Sequence, residues 1–203
     1  MASLLVQNTK IKKTALSNSI KLFNFGIPAF QTRSGKRTCP NAGPCRAWCF
    51  ARTKLYKMSK VQDAYEYRYE ISKKDHFNSI ISYEIQRVKA DYIRVHDSGD
   101  YYCDKYMLKW FEIANEHPNI NFYSYTNMIS MVKKKQIPEN FDFIFSDSGT
   151  EVKLINKSND RHTKIFNNRS DITIHGYVDA TDNDLLATKW FSKNNKIGLT
   201  FKK

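Results

Sequence analysis

Short runs in which apolar and polar residues alternate recur along this chain of 203 residues, and helical or loop-like segments separate them. They lie at residues 19–25 (SIKLFNF), 92–96 (YIRVH), 120–125 (INFYSY), 141–145 (FDFIF), 172–177 (ITIHGY) and 197–201 (IGLTF). Each reads as a strand. Between them, a segment from Arg46 to about Lys60 has a helical pattern. Phe77, Ile80, Ile81, Ile85 and Val88 repeat at helical spacing behind a possible cap at Asp75, and 104–114 forms a helix that buries Met107, Trp110 and Phe111. Alternating β and α units of this length predict an α/β fold with a curled, mostly parallel sheet or a partial (β/α) barrel. No linker or repeat divides the chain, so one domain over 1–203 is expected, carrying a basic, cysteine-bearing loop at about 31–52.

Composition limits what this fold can be for. With 41% hydrophobic and 14% aromatic residues, the chain is too rich in core-forming side chains to be a disordered polycation. No run approaches the roughly 20 apolar residues of a membrane helix, and the first seven residues are too short for a secretory leader. A reducing cytoplasm is the expected compartment. The net charge of +13 is unevenly distributed: residues 1–60 hold 12 of the 33 Lys and Arg and none of the 20 Asp and Glu. Arg33, Lys36, Arg37, Arg46 and Arg52 are the candidate contacts to nucleic acid or another anion, and a solvated basic surface is the plainer reading.

Three of the four cysteines, Cys39, Cys45 and Cys49, fall within the C-x5-C-x3-C run CPNAGPCRAWC, on a loop entering a helix. In a cytosolic protein this favours thiolate ligation over disulfides, and a helix N-terminus with abundant Arg and Lys is expected to lower the thiol pKa. The run contains no C-x2-C knuckle and therefore suits an iron–sulfur cluster better than zinc. Cys103, after the second strand, is either a fourth ligand or a buried helix residue.

Polar residues gather where the strands end, at His96-Asp97-Ser98-Gly99-Asp100, Thr126-Asn127 and Asp147-Ser148-Gly149. Parallel sheets collect their ligands at that end, although Asp, Ser and Gly are also ordinary turn formers. His96 and His175 are candidate acids, bases or metal ligands, or simply strand-end histidines bonded to carboxylates. Tyr65, Tyr67, Tyr69, Tyr101 and Tyr102 read as base-stacking residues or as core.

The segments TCPNAGPCRAWCFA (38–51), RVHDSGDYYCDKYMLKW (94–110), NFYSYT (121–126) and KIGLTF (196–201) resemble the phage "gene product 88" family, small proteins of phages and other mobile elements. That arrangement in turn resembles radical S-adenosylmethionine (SAM) enzymes, in which three cysteines follow the first barrel strand with an aromatic residue before the last, here Trp48. The resemblance implies a radical SAM-like barrel, a 4Fe–4S cluster on Cys39, Cys45 and Cys49, and SAM held by Ser98, Gly99 and Asp100. The implied function is a cytoplasmic iron–sulfur protein, in the host cytoplasm if phage-encoded, acting on or near nucleic acid, with divergent radical SAM chemistry as its enzymatic form. The alternative is a nucleic-acid-binding or host-modulating protein with a structural iron–sulfur or zinc site.

Overall fold

A computed structural model describes residues 3–200; Phe201 and the side chain of Trp48 lie outside the described part of the chain. Seven strands form one sheet: β1 (Leu22–Phe25), β2 (Tyr92–Val95), β3 (Asn121–Thr126), β4 (Phe141–Ser146), β5 (His162–Phe166), β6 (Val178–Asp179) and β7 (Lys196–Thr200). Their spatial order is β1-β2-β3-β4-β5-β7-β6, every neighbouring pair is parallel, and the sheet curls into a half-barrel. This is the partial barrel that the alternating pattern predicts. At the β1 edge, Val6 makes an antiparallel bridge to Asn24, occupying backbone groups that would otherwise template another strand.

Side-chain alternation sends each strand's residues to two different cores. Ile93, Val95, Phe122, Phe143 and Phe145 face the outer layer, where α4 (Phe77–Val88) and α5 (Asp104–Glu116) supply Phe77, Ile81, Met107 and Trp110. Each such side chain contributes about 1.5–3 kcal/mol on burial. Leu22, Tyr123, Ile144 and Ile197 face the concave side and meet Ile11 and Ala15 of α1 (Thr9–Ser17), with Leu185 from the 3-10 turn Asp184–Ala187. Asn8 caps α1, its side chain accepting from the Ile11 N–H. Among the described residues no helix is long and apolar enough to cross a membrane.

The concave side is tied together by one carboxylate. Asp184 is fully buried; its Oδ1 meets Lys10 Nζ at 2.6 Å and its Oδ2 meets Arg94 Nη1 at 3.0 Å. Tyr123 donates to Oδ2 at 2.7 Å and Tyr125 to Oδ1 at 3.3 Å. Burial alone would raise this carboxyl, but Arg94 and then Lys10 hold it well below the usual carboxylate range.

Several local expectations are corrected. The helix expected from Arg46 to Lys60 is broken into α2 (Cys45–Trp48), the 3-10 turns Phe50–Arg52 and Lys54–Lys57, and only then α3 (Ser59–Ser72). Cys49, Thr53 and Met58 are extended, and Phe50, Leu55 and Met58 face solvent, so no buried stripe holds the segment in one helix. Residues 172–177 are not a strand: α7 (Ser170–Ile174) ends in a turn at Gly176, because Ile172 is buried while Ile174 is 77% exposed. His175 thus closes a short exposed helix. Asp75 does not cap α4; its carboxylate is exposed, 4.0 Å from Lys105.

Replacing Asp184 with Asn should cost about 3–5 kcal/mol, because Arg94 is left buried and unneutralised. Lys10→Met, at a partly exposed pair, should cost no more than about 1–2 kcal/mol. Urea unfolding midpoints measure both. An Asp184→Asn loss below that of Lys10→Met would mean that the carboxylate is not the anchor.

Candidate metal centre

Because all strands are parallel, β1 to β4 end on the same side of the sheet, and the loop after β1 is laced across those ends. Ile27 N donates to Ser98 O at 3.0 Å, Asp100 N to Thr38 O at 3.0 Å, Cys45 N to Ser148 O at 3.2 Å and Thr150 N to Asn41 O at 3.0 Å. Four backbone bonds thus fix the cysteine loop against the turns that follow β2 and β4. Close packing enforces this path: a Cβ on Gly43 would lie 3.0 Å from Gly149 C, and one on Gly99, whose φ is +81°, would lie 2.3 Å from Ile27 Cγ1.

The loop brings Cys39, Cys45 and Cys49 together, each partly buried. Cys39 Sγ accepts from Phe30 N at 3.2 Å, and Asn127 Nδ2 points at Cys45 Sγ from 3.9 Å. Burial pushes the Cys39 thiol up, and Asp100, Cys49 and Cys45 push it further. Burial and then Cys49 push Cys45 up to about 11, and burial raises Cys49 although Arg52 opposes it. This corrects the expectation of lowered thiol pKa values. α2 is a single turn; desolvation outweighs Arg52 at Cys49, and at Cys39 and Cys45 it is reinforced by repulsion from the other thiols and Asp100. The three thiols are therefore protonated at neutral pH unless a cation stands among them. Among the described residues no group of three or more His, Cys, Asp or Glu side chains is arranged to hold a single metal ion.

Cys103 is not brought to this group. It is exposed at the N-cap of α5, and its electrostatic neighbours are Tyr69, Tyr102 and Lys109. It is also not the buried helix residue of the other reading.

Asp100, in contrast, sits beside the thiols and is buried. Its Oδ1 accepts from Tyr101 N at 2.8 Å and Thr126 Oγ1 at 2.6 Å, and its Oδ2 accepts from Asn127 N at 2.8 Å. Burial raises its carboxyl to about 6 despite these donors. Ser98 is also buried, with no partner for its hydroxyl among the described residues.

The sequence of this chain matches the family model described as Gene product 88 over residues 2–202. The chain belongs to the Gene product 88 family. No curated protein matches it, and no solved structure does.

In this Gene product 88 chain, the five basic residues singled out from sequence divide into two kinds. Arg33 is neutralised, its guanidinium 2.5 Å from Asp63 and its backbone N–H donating to Glu66. Lys36 stands exposed in the turn closed by the Gln31–Arg37 bridge. Arg37, Arg46 and Arg52 all lean on the ring of Phe30, with guanidinium carbons 3.9, 4.3 and 5.3 Å from its centroid. Phe30 is a site residue that sequence reasoning missed, for its partners are brought together only by the folded loop. Tyr65, Tyr69 and Tyr101 are core residues.

His96 is bonded to a phenol and not to a carboxylate: Nε2 pairs with Tyr106 Oη at 2.9 Å. Burial, with the charge of Arg94 adding to it, pushes its imidazole down to about 3. As pH falls below the unfolded value of about 6.5, the unfolded chain takes up a proton that the fold refuses, so stability is lost until the folded pKa is reached. The loss should be on the order of 2 kcal/mol between pH 7 and pH 5. His96→Asn suits the left-handed backbone there (φ +68°) and should flatten this slope in urea titrations at the two pH values. An unchanged slope would assign the acid sensitivity to another group.

Proposed function

We propose that Cys39, Cys45 and Cys49 hold an iron–sulfur cluster, most simply 4Fe–4S, at the mouth of the half-barrel, in a protein that works on or near nucleic acid in the host cytoplasm. The observation that carries this is the convergence of three part-buried thiols, in which burial raises all three, Cys49 and Cys45 further raise Cys39, and Cys49 further raises Cys45, a donor set that a bound cation would ionise. The C-x5-C-x3-C run has no C-x2-C knuckle of the kind zinc sites pair, and three thiolates on one loop suit a cluster that keeps one iron open, which favours iron–sulfur over zinc.

Bound there with one iron free of cysteine, a cluster would supply one-electron reduction and an open site for the amine and carboxylate of SAM. Ser98, Gly99 and Asp100 would hold that ligand: Gly99 keeps the backbone close, and the unpartnered Ser98 hydroxyl offers a donor. Asp100 favours a second reading, in which the site is structural. A carboxylate has about four lone-pair positions, and three of those on Asp100 already fix Tyr101, Thr126 and Asn127. One position remains for a ligand ammonium.

Strictly anaerobic isolation should give iron and acid-labile sulfide in equal amounts. Cys→Ser at position 39, 45 or 49 should remove them, and Cys103→Ser should not. Stoichiometric zinc without iron would overturn the cluster. If the protein acts on SAM, the reduced form should release methionine and 5′-deoxyadenosine, and Asp100→Ala should abolish the release. No release from a fully loaded cluster would leave the structural reading.

A further inference from the structure

The arrangement of Arg37, Arg46 and Arg52 is unusual in its charge balance. Three guanidiniums surround the one buried ring of Phe30, and Arg52 Nη1 also donates to Arg46 O at 3.0 Å. None of the three pairs with a carboxylate among the described residues, whereas the neighbouring Arg33 takes Asp63. The ring offers cation–π attraction, but like charges this close still repel, and an anion placed on them would relieve the repulsion.

Beside this cationic group lies a cleft of about 290 Å³ lined by Phe30, Arg52, Tyr56, Lys57 and Tyr65. That volume is at the lower end for ligand pockets, the size for one flat ring system. Phe50, which is 53% exposed, meets the cleft residue Tyr56 edge-on at 5.6 Å, and Tyr56 in turn lies parallel to Tyr65 at 5.9 Å. An exposed aromatic ring next to unpaired guanidiniums recognises a chain that carries both phosphates and open base faces. In a duplex the base faces are covered by stacking, so the rings would contribute nothing.

We infer that Arg37, Arg46 and Arg52 with Phe50 and Tyr56 form a binding site for single-stranded nucleic acid, phosphates on the guanidiniums and a base against the aromatic rings. This rests on the reading that the partner is a nucleic acid, and it names the strand state and the residues. It does not depend on the cluster being catalytic.

Fluorescence anisotropy with a fluorescein-labelled oligo(dT) strand and a duplex of equal length, on protein isolated anaerobically, tests it. The single strand should bind more tightly, and Phe50→Ala should weaken it about fivefold or more while leaving duplex affinity alone. Arg37→Gln should weaken both and lower the salt slope by about one. Iron content and urea midpoint are measured on each variant, so that loss of the cluster or fold is not read as loss of the site. Phe50→Ala and Arg37→Gln proteins that keep full single-strand affinity would overturn the site. Equal, salt-dependent binding of strand and duplex would overturn strand selectivity while leaving a nucleic-acid partner. No salt-dependent binding of either would overturn both.

Discussion

A half-barrel has a concave face that must be covered, and the cover here is fastened by the buried carboxylate of Asp184. Lys10 from α1 and Arg94 and Tyr123 from β2 and β3 all converge on it. Strand alternation makes Arg94 and Tyr123 inward-pointing, and their registers are locked by pairing to each other, Arg94 opposite Tyr123. Residues a few positions further along the same two strands are His96 to Asp100 and Thr126 to Asn127. A slip in either strand would turn the Asp184 partners outward and displace the mouth at the same time. The charge network in the barrel and the geometry of the mouth therefore share one register.

Two buried carboxylates show how this molecule sets charge by partner and not by depth. Asp184 faces two cations and stays ionised; Asp100 receives three neutral donors and lies beside thiols, so burial wins and its carboxyl rises to about 6. The mouth is thus a place where negative charge is costly. Three cysteines crowd into it, and their anionic forms would repel Asp100 and one another. The proposed cluster core would compensate that charge from within, and Arg52, the guanidinium that lowers the Cys49 thiol, opposes it from outside.

The sheet was legible because β1 to β4 and β7 carry an alternation that survives burial on both faces. β5 (HTKIF) was not, since Lys164 interrupts the pattern while facing solvent. ITIHGY shows the opposite failure, an alternation with no second buried side chain behind it. The gathering of the cysteines was readable from their spacing, but the rise in their pKa was not, because it depends on how deeply the loop sinks between the strand ends. Asp184 sits in a segment, NDLLA, that reads as an ordinary turn, with Arg94 and Tyr123 separated from it by 90 and 61 residues. Long-range partners of that kind leave no local signature.

The absence of acid from residues 1–60 explains how the remaining arginines come to differ. Their counter-ions must come from later in the chain, and few reach this region: Asp184 serves Lys10, Asp63 serves Arg33, and Arg37, Arg46 and Arg52 have none among the described residues. Folding therefore does not dissipate the sequence asymmetry; it concentrates it around Phe30, next to the thiols. Arg52 is turned toward Cys49, while Arg37, from the exposed hairpin turn, lies over the Phe30 ring at 3.9 Å. The inner part of this charge faces the Cys49 thiol, and the outer part faces solvent, where a polyanion can reach it. In the proposed function the same basic segment would serve both partners, a cluster through Arg52 and a nucleic acid through Arg37, with the Phe30 ring under both guanidiniums.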